Sequence, residues 1–260
     1  MSDSIRSVER ALDVLLCFSM QTPELNMTQI AEKVGIHKST VHRLLATLER
    51  RRFVRRDPVT GIYRPGIRLL QMAYLTLEDM DIRQIVHPYM HKLVDEFRET
   101  VDLAILDEGE AVFVDVVESP QRVKLAAAPG QRLPAVSTAS GKAILAFLPE
   151  DEVKKIRDQN NYQFKPNKIL PLKAFLEDIA LTRKRGYAFD EEELEVGIHA
   201  IGAPIMGTKG LPIASIAIAG PAYRLPRKLM ETIGPKLAHT AQEISKEVFI
   251  VSGTNPQPVK

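Results

Sequence analysis

The stretch Gly35-Ile36-His37-Lys38-Ser39-Thr40-Val41-His42-Arg43-Leu44-Leu45-Ala46-Thr47-Leu48 constrains the fold more than any other. Val41, Leu44, Leu45 and Leu48 fall at the i, i+3, i+4, i+7 spacing of a helix with one buried face. The opposite face carries Lys38, Ser39, Thr40, His42, Arg43 and Thr47, with two cations, several hydroxyls and no carboxylate. Such a face fits a DNA major groove, where Arg and Lys reach guanine and short hydroxyls reach base edges or phosphates.

Its neighbours extend the pattern. Residues 7–18 read as a first helix with Val8, Leu12, Leu15 and Leu16 inward, Cys17 in or beside that core, and Ser4 or Ser7 as its cap. Residues 28–34 read as a second helix, with Thr28 as N-cap and Ile30, Ala31 and Val34 inward. Gly35 ends that helix in a left-handed turn. Two short helices joined at a glycine form a helix-turn-helix. After Arg50-Arg51-Arg52, residues 53–56 and 62–64 read as strands around a Pro/Gly turn at 57–61. A hairpin there is the wing of a winged helix, placing Arg55, Arg56 and Arg64 toward phosphates or the flanking minor groove.

The charge distribution agrees. Residues 1–66 hold 11 Lys and Arg against 7 Asp and Glu, whereas residues 67–260 hold 24 against 26. The excess of positive charge therefore lies in the first quarter, as expected of a nucleic-acid-binding module on a near-neutral partner. At 260 residues, 45% of them hydrophobic, the chain has room for two domains with a sizeable core. Cys17 is the only cysteine, which excludes an internal disulfide and a Cys-rich metal site and fits a reducing cytoplasm. The first residues show no secretory signal, and no run of 18 apolar residues appears, so neither export nor a membrane partner is expected.

The expected divisions are a winged helix-turn-helix at 1–66, a linker or dimerisation helix at 67–80, a second domain at 81–251 and a disordered tail at 252–260. The linker is apolar over most of its circumference, which suits burial against a second copy or between domains. Residues 81–99 read as a helix with Ile85, Tyr89, Leu93, Val94 and Phe97 on one side. Strands are expected at 101–106, 111–117 and 123–127, helices at 141–148, 149–158 and 172–185, long strands at 197–206 and 212–219, and a last helix at 226–248. This order describes an α+β domain with an antiparallel sheet and helices against it.

Three constellations in the second domain bear on chemistry. The segment from Ser137 to Ala143 resembles part of a phosphate loop, but Val136 stands where a glycine should and Ala143 where Ser or Thr should, so a capped helix start is expected. The acidic run Asp190-Glu191-Glu192-Glu193-Leu194-Glu195 reads as a solvated turn before a strand. His87 and His91 stand at i, i+4 without the intervening carboxylate of the metalloprotease pattern, so no metal is expected. No nucleophile elbow and no cysteine beside a credible base occur, and neither enzymatic activity nor a cofactor is expected.

The residues closely resemble the IclR-type bacterial transcriptional regulators. The Gly35–Leu48 stretch is similar to that family's helix-turn-helix signature, and Ser7-Val8-Glu9-Arg10-Ala11-Leu12 to its opening helix. Three further runs, beginning at Thr138, Gly186 and Gly197, match in order, followed by Ala219-Gly220-Pro221 with Arg224-Leu225. The resemblance implies a winged helix, a linker helix and a GAF-like effector domain, acting as a dimer or dimer of dimers on double-stranded operator DNA. It implies a repressor as the first reading, controlled by a small organic acid or aromatic metabolite. The effector pocket it implies comprises Ser137, Thr138, Ala139, Ser140, Gly141, Asp190, Ile198, Ala200, Ala217 and Ala219. Members that bind small polar acids tend to carry Cys or Ser where Ala200, Ala217 and Ala219 stand here, and alanine offers no hydrogen bond. A less polar acid, aromatic or longer-chain, is therefore expected in preference to a two- or three-carbon oxoacid. The competing class is a metabolite-binding protein or enzyme whose N-terminal module docks protein instead of DNA.

Overall fold

The computed structural model describes residues 5–19, 22–78, 81–159, 166–207 and 209–251, with side chains omitted at 73–78, 81 and 251. The chain divides into two compact units, Met1–Met80 and Asp81–Lys260.

In the first unit, α1 (Arg6–Leu16), α2 (Met27–Val34) and α3 (Lys38–Arg50) enclose one core built on Val14, Leu25, Ile30, Ala31, Val41, Leu45, Val54 and Tyr63. The caps differ from expectation. Ser7 does not cap α1: Ile5 occupies that position with no side-chain bond, and Ser4 lies outside the described residues. Asn26, not Thr28, caps α2: Asn26 Oδ1 accepts from the backbone N–H groups of Thr28 and Gln29, and Gln29 Oε1 accepts from Asn26 N–H at 2.8 Å. This reciprocal pair satisfies donors that Thr28, already one residue inside the helix, cannot reach. Gly35 closes α2 at φ 69°, the left-handed conformation that a side chain would disfavour.

The apolar face of α1 is also rotated from that expected. Val14 is buried, Leu15, Cys17 and Phe18 pack beside the core, and Ile5, Val8, Leu12 and Leu16 remain on an exposed stripe. The wing pairs β1 (Val54–Arg56) with β2 (Tyr63–Pro65), and Leu25 adds a bridge to Tyr63. Its turn is organised by Asp57, whose carboxylate accepts from Val59 and Thr60 N–H, while Gly61 takes φ 71°. The helix α4 (Ile67–Glu78) follows, and the last two residues of the expected linker lie outside the described residues.

The second unit centres on a six-stranded antiparallel sheet of order β5-β4-β3-β8-β7-β6. Its strands are β3 (Thr100–Asp107), β4 (Glu110–Val117), β5 (Arg132–Pro134), β6 (Ala188–Glu191), β7 (Ile198–Met206) and β8 (Pro212–Pro221). The helices are α5 (Asp81–Phe97), α6 (Ala139–Leu145), α7 (Glu150–Arg157), α8 (Leu172–Arg185) and α9 (Arg227–Val251). α5 and α9 share one face of the sheet, tied by Tyr89 Oη donating to Glu247 at 2.6 Å. α6 packs on the other face.

Three expectations here are corrected. The buried stripe of α5 is Ile82, Val86, Met90, Leu93 and Val94, so Ile85 and Tyr89 sit at its margin. Residues 123–127 form no strand. The edge of β4 is completed after the Pro129-Gly130 turn, where Arg132–Pro134 pairs with Glu110–Val112. The acidic run is not a solvated turn throughout, because its first residues form β6 on the edge of β7 and Asp190 and Glu193 are buried. The expected tail, 252–260, lies outside the described residues.

Candidate functional site

In the first unit, burial of Val41 and Leu45 turns the opposite side of α3 to solvent. Lys38, Ser39, His42 and Arg43 are exposed along it, and Thr40 is half-buried. Thr47 Oγ1 donates to the Arg43 carbonyl at 2.9 Å, leaving the Arg43 guanidinium outside that bond. Arg55 is exposed on the wing, and Arg56 lies over the Tyr63 ring at 5.8 Å. Arg64 differs from these. Its Nε donates to Glu24 Oε2 at 2.8 Å, so part of its charge is already answered within the protein.

In the second unit the sheet register builds a floor. Thr100 pairs with Ala219, Ala219 with Ala200, and Ala200 with Asp190, so one residue from each of four adjacent strands lies in a single row. All four line a cavity of about 270 Å³. α6 supplies Thr138, Ala139 and Ser140 from its start, and Ile198 and Leu194 close another side. The segment 124–127 covers it, with Leu125 packed against Ala139, Ala200 and Ala219. That segment carries no ladder hydrogen bonds and forms a cavity wall instead.

Seven of the ten residues expected in the pocket line this cavity: Thr138, Ala139, Ser140, Asp190, Ile198, Ala200 and Ala219. The other three lie off it for separate reasons. Ser137 Oγ is turned to the Lys168 carbonyl at 3.3 Å. Gly141 rests against Ala135, where a Cβ would fall 2.3 Å from the Ala135 carbonyl oxygen. Ala217 belongs to the next row, Asp102–Ala217–Gly202, which α6 covers closely: a Cβ at Gly202 would meet the Ala139 carbonyl oxygen at 2.4 Å.

Asp102, Thr100, Phe113, Lys124 and Gln131 also line the cavity, although nothing in the sequence pattern alone assigns them to it. Asp102 carries a readable signal, as a carboxylate inside the otherwise apolar run 101–106. Ser140 Oγ donates to Asp102 Oδ1 at 2.7 Å. Burial pushes the Asp102 carboxyl up to about 7, with the Ser140 bond opposing. Burial likewise raises Asp190 to about 7, opposed by the Lys142 charge and by N–H groups of Glu193 and Leu194. Lys142 itself is fully buried between Glu193 and Asp178, its Nζ 2.5 and 2.9 Å from their oxygens. Burial works against its charge, but the two carboxylates overcome this and hold Lys142 above the ordinary lysine range. Its ammonium therefore ties α6 to α8 and is not offered to an anion.

A winged helix with an exposed basic face, joined to a sheet domain enclosing a small cavity, agrees with two family models. Residues 7–58 match the IclR helix-turn-helix domain, and residues 74–246 match the bacterial transcriptional regulator IclR C-terminal domain. The chain belongs to the IclR family of transcriptional regulators. It is similar to the transcriptional repressor IclR of Escherichia coli (strain K12), 32% identical over 244 residues covering 93% of this chain and 89% of that protein. The solved IclR of Thermotoga maritima is 31% identical with a TM-score of 0.74, covering 94% of this chain and 99% of that one. An IclR homologue from Microbacterium hydrocarbonoxydans complexed with 4-hydroxybenzoate shares the fold at 23% identity and a TM-score of 0.82, covering 94% of this chain and 99% of that one. This IclR-family chain is thus a DNA-binding regulator with a small-molecule site in its C-terminal domain, and not an enzyme. No helix among the described residues is long and apolar enough to cross a membrane.

Proposed function

We propose that this IclR-family regulator is a cytoplasmic repressor that grips double-stranded operator DNA as a homodimer or dimer of dimers. The observation that carries the reading is the exposed face of α3, where Lys38, Ser39, His42 and Arg43 stand on a rigid core without a carboxylate. Ser39, Thr40 and Arg43 read base edges, while Lys38, His42, Arg55 and Arg56 contact the backbone. The stripe of Ile5, Val8, Leu12 and Leu16 on α1, together with exposed Ile67 and Leu70 on α4, supports pairing, since a helical apolar face of this kind calls for a partner surface. A two-fold pair then sets the spacing of two half-sites.

The effector binds the cavity floored by Thr100, Ala219, Ala200 and Asp190. Its volume of about 270 Å³ suits a small molecule. Five alanines and Phe113, Leu125 and Ile198 favour a ring or short alkyl chain, with polar groups met by Ser140, Thr138 and the two aspartates. An acid entering beside Asp102 and Asp190 is favoured while these carboxyls, both raised to about 7 by burial, keep their protons, because an ionised carboxylate repels it. The bound effector shifts the regulator between two arrangements by its differential affinity for them.

A gel-shift titration with the protein's own upstream DNA tests the first part. Affinity should fall steeply between low and physiological salt; absence of retention at any salt overturns it. Calorimetry with benzoate-type acids against glyoxylate and pyruvate tests the second. Tight binding of the small oxoacids with none of the larger acids refutes the pocket reading.

A further inference from the structure

On the face of the sheet opposite the cavity, α5 brings His87 and His91 to Asp115 of β4, 28 residues beyond His87 in the sequence. His87 and His91 lie one turn apart on α5, and their Nε2 atoms face each other at 3.1 Å. His87 Nδ1 is 2.6 Å from Asp115 Oδ2, and Asp115 is almost fully buried. Arg83 flanks the same carboxylate at 3.4 Å, so that Asp115 is not left as a lone buried charge. Asp115 Oδ1 also accepts from Val116 N–H at 3.0 Å.

The contact with Asp115 orients the His87 ring: in its neutral form His87 donates from Nδ1 to the carboxylate and carries its lone pair at Nε2. That lone pair faces the Nε2–H of His91, whose ring is exposed. Two imidazole nitrogens 3.1 Å apart, each about 2.0–2.1 Å from a shared cation, subtend an angle of about 95–102° at it. The value lies between the 90° of square or octahedral coordination and the tetrahedral angle. A carboxylate holding the far nitrogen of a ligating imidazole is the arrangement that orients metal-binding histidines and raises their basicity.

We propose that His87 and His91 form a bidentate site for a borderline divalent transition cation, Cu²⁺, Ni²⁺ or Zn²⁺, with Asp115 as the positioning residue behind His87. Among the described residues no group of three ligating side chains is gathered, so water completes the coordination. Binding replaces the hydrogen shared between the two Nε2 atoms, and His91 moves its proton to the solvent-facing Nδ1. The hard cations Mg²⁺ and Ca²⁺, which take oxygen ligands, are excluded by the all-nitrogen donor set. The site lies on the opposite side of the sheet from Asp102, since Asp115 pairs with Leu103 and neighbouring strand residues alternate in face. It is therefore separate from the effector cavity.

The test is a calorimetric titration of the untagged full-length protein with CuCl₂, NiCl₂, ZnCl₂ and MgCl₂, paired with electron paramagnetic resonance of the copper form. One saturable equivalent per chain, affinity falling from copper to nickel, nitrogen hyperfine structure and no magnesium binding are expected. His91→Gln, an exposed change that leaves the fold alone, should weaken binding at least 10-fold. Asp115→Asn should weaken it 10- to 100-fold. Absence of saturable binding, or affinity unchanged in His91→Gln, overturns the proposal. His91→Gln suffices for the decision should Asp115→Asn fail to fold.

Discussion

Ser140 Oγ donates to Asp102 Oδ1 across 2.7 Å, joining the first turn of α6 to the third residue of β3 at the cavity wall. Both residues are buried. The hydroxyl is the side-chain partner that an otherwise desolvated carboxyl has, and it offsets only part of the burial, so the carboxyl titrates near neutrality.

A pH dependence follows with a definite sign. The folded carboxyl titrates at about 7 against 3.8 for the ordinary group, so the native state holds the proton more tightly than the unfolded chain. Stability from this group is full below the ordinary value and declines as pH rises toward 7. Asp102→Asn removes the dependence while keeping a partner for Ser140. Relative to the parent protein, the variant should gain about 2–3 kcal/mol between pH 5 and pH 8, since each pH step below the folded value is worth ~1.4 kcal/mol. Urea unfolding at the two pH values measures this, and a gap that stays constant with pH would sink it.

Effector binding should carry the same proton. An aromatic acid entering beside Asp102 and Asp190, both near 7, binds more tightly at pH 6 than at pH 8. The reason is that a protonated carboxyl donates to the ligand, whereas an ionised one repels it. Affinity falling by about tenfold per pH unit above 7 corresponds to one proton taken up. Calorimetry in buffers of different ionisation enthalpy counts that proton directly; a count of zero refutes the linkage.

The DNA-binding arginines should not behave alike. Arg43 stands exposed on the groove face of α3, and Arg43→Ala should cost about 1–3 kcal/mol and relax specificity at one base pair. Arg55→Ala should weaken all sequences evenly and lower the salt slope by about one. Arg64, held by Glu24, should matter less to DNA. Its exposed ion pair contributes about 0–1 kcal/mol to folding. A gel shift in which Arg64→Ala loses more affinity than Arg43→Ala would reverse this order.

The features legible in the sequence are those set by local chemistry. The 3.6-residue spacing of Val41 and Leu45, the glycine after α2 and the turn residues of the wing act over a few positions, and the structure places each as expected. The α2 cap is equally local, since Asn26 and Gln29 carry the spacing of a capping box, yet Thr28 stands nearer the apolar run and competes with it as a cap. Asp190 and Glu193 escape a local reading because their environment is built from distant residues. Lys142 lies 51 residues before Glu193, and only the fold shows that an acidic run ends inside the protein. The rotation of α1 has a similar origin. Its most regular apolar stripe faces outward, and Val14, off that stripe, meets the core.

The buried ion triad is the strongest stability prediction outside the cavity. Lys142→Met fills much of the same volume but strips Glu193 of the ammonium it bonds and leaves Asp178 only Arg185, 3.5 Å from its other oxygen. Glu193 Oε2 already has no hydrogen-bond partner among the described residues, so this side of the triad has no reserve. Removing one partner of such a group costs about 3–5 kcal/mol. A Tm unchanged in Lys142→Met would show that the charges are reached by water.

Gly202 sets how closely α6 approaches the sheet. It stands in the row with Ala217 and Asp102, and its missing side chain admits the helix start. A Cβ there would lie 2.4 Å from the Ala139 carbonyl oxygen and 2.9 Å from the Ser140 nitrogen, both backbone atoms that no rotamer change can withdraw. Gly202→Ala therefore displaces α6, at a cost of about 1–3 kcal/mol for overpacking. Ala139 and Ser140 line the cavity, so the displacement also stretches the Ser140–Asp102 bond and alters the site. Thermal unfolding and effector titration should fall together in this variant. Loss of stability with unchanged effector affinity would separate the helix position from the cavity and place the effector elsewhere in the domain.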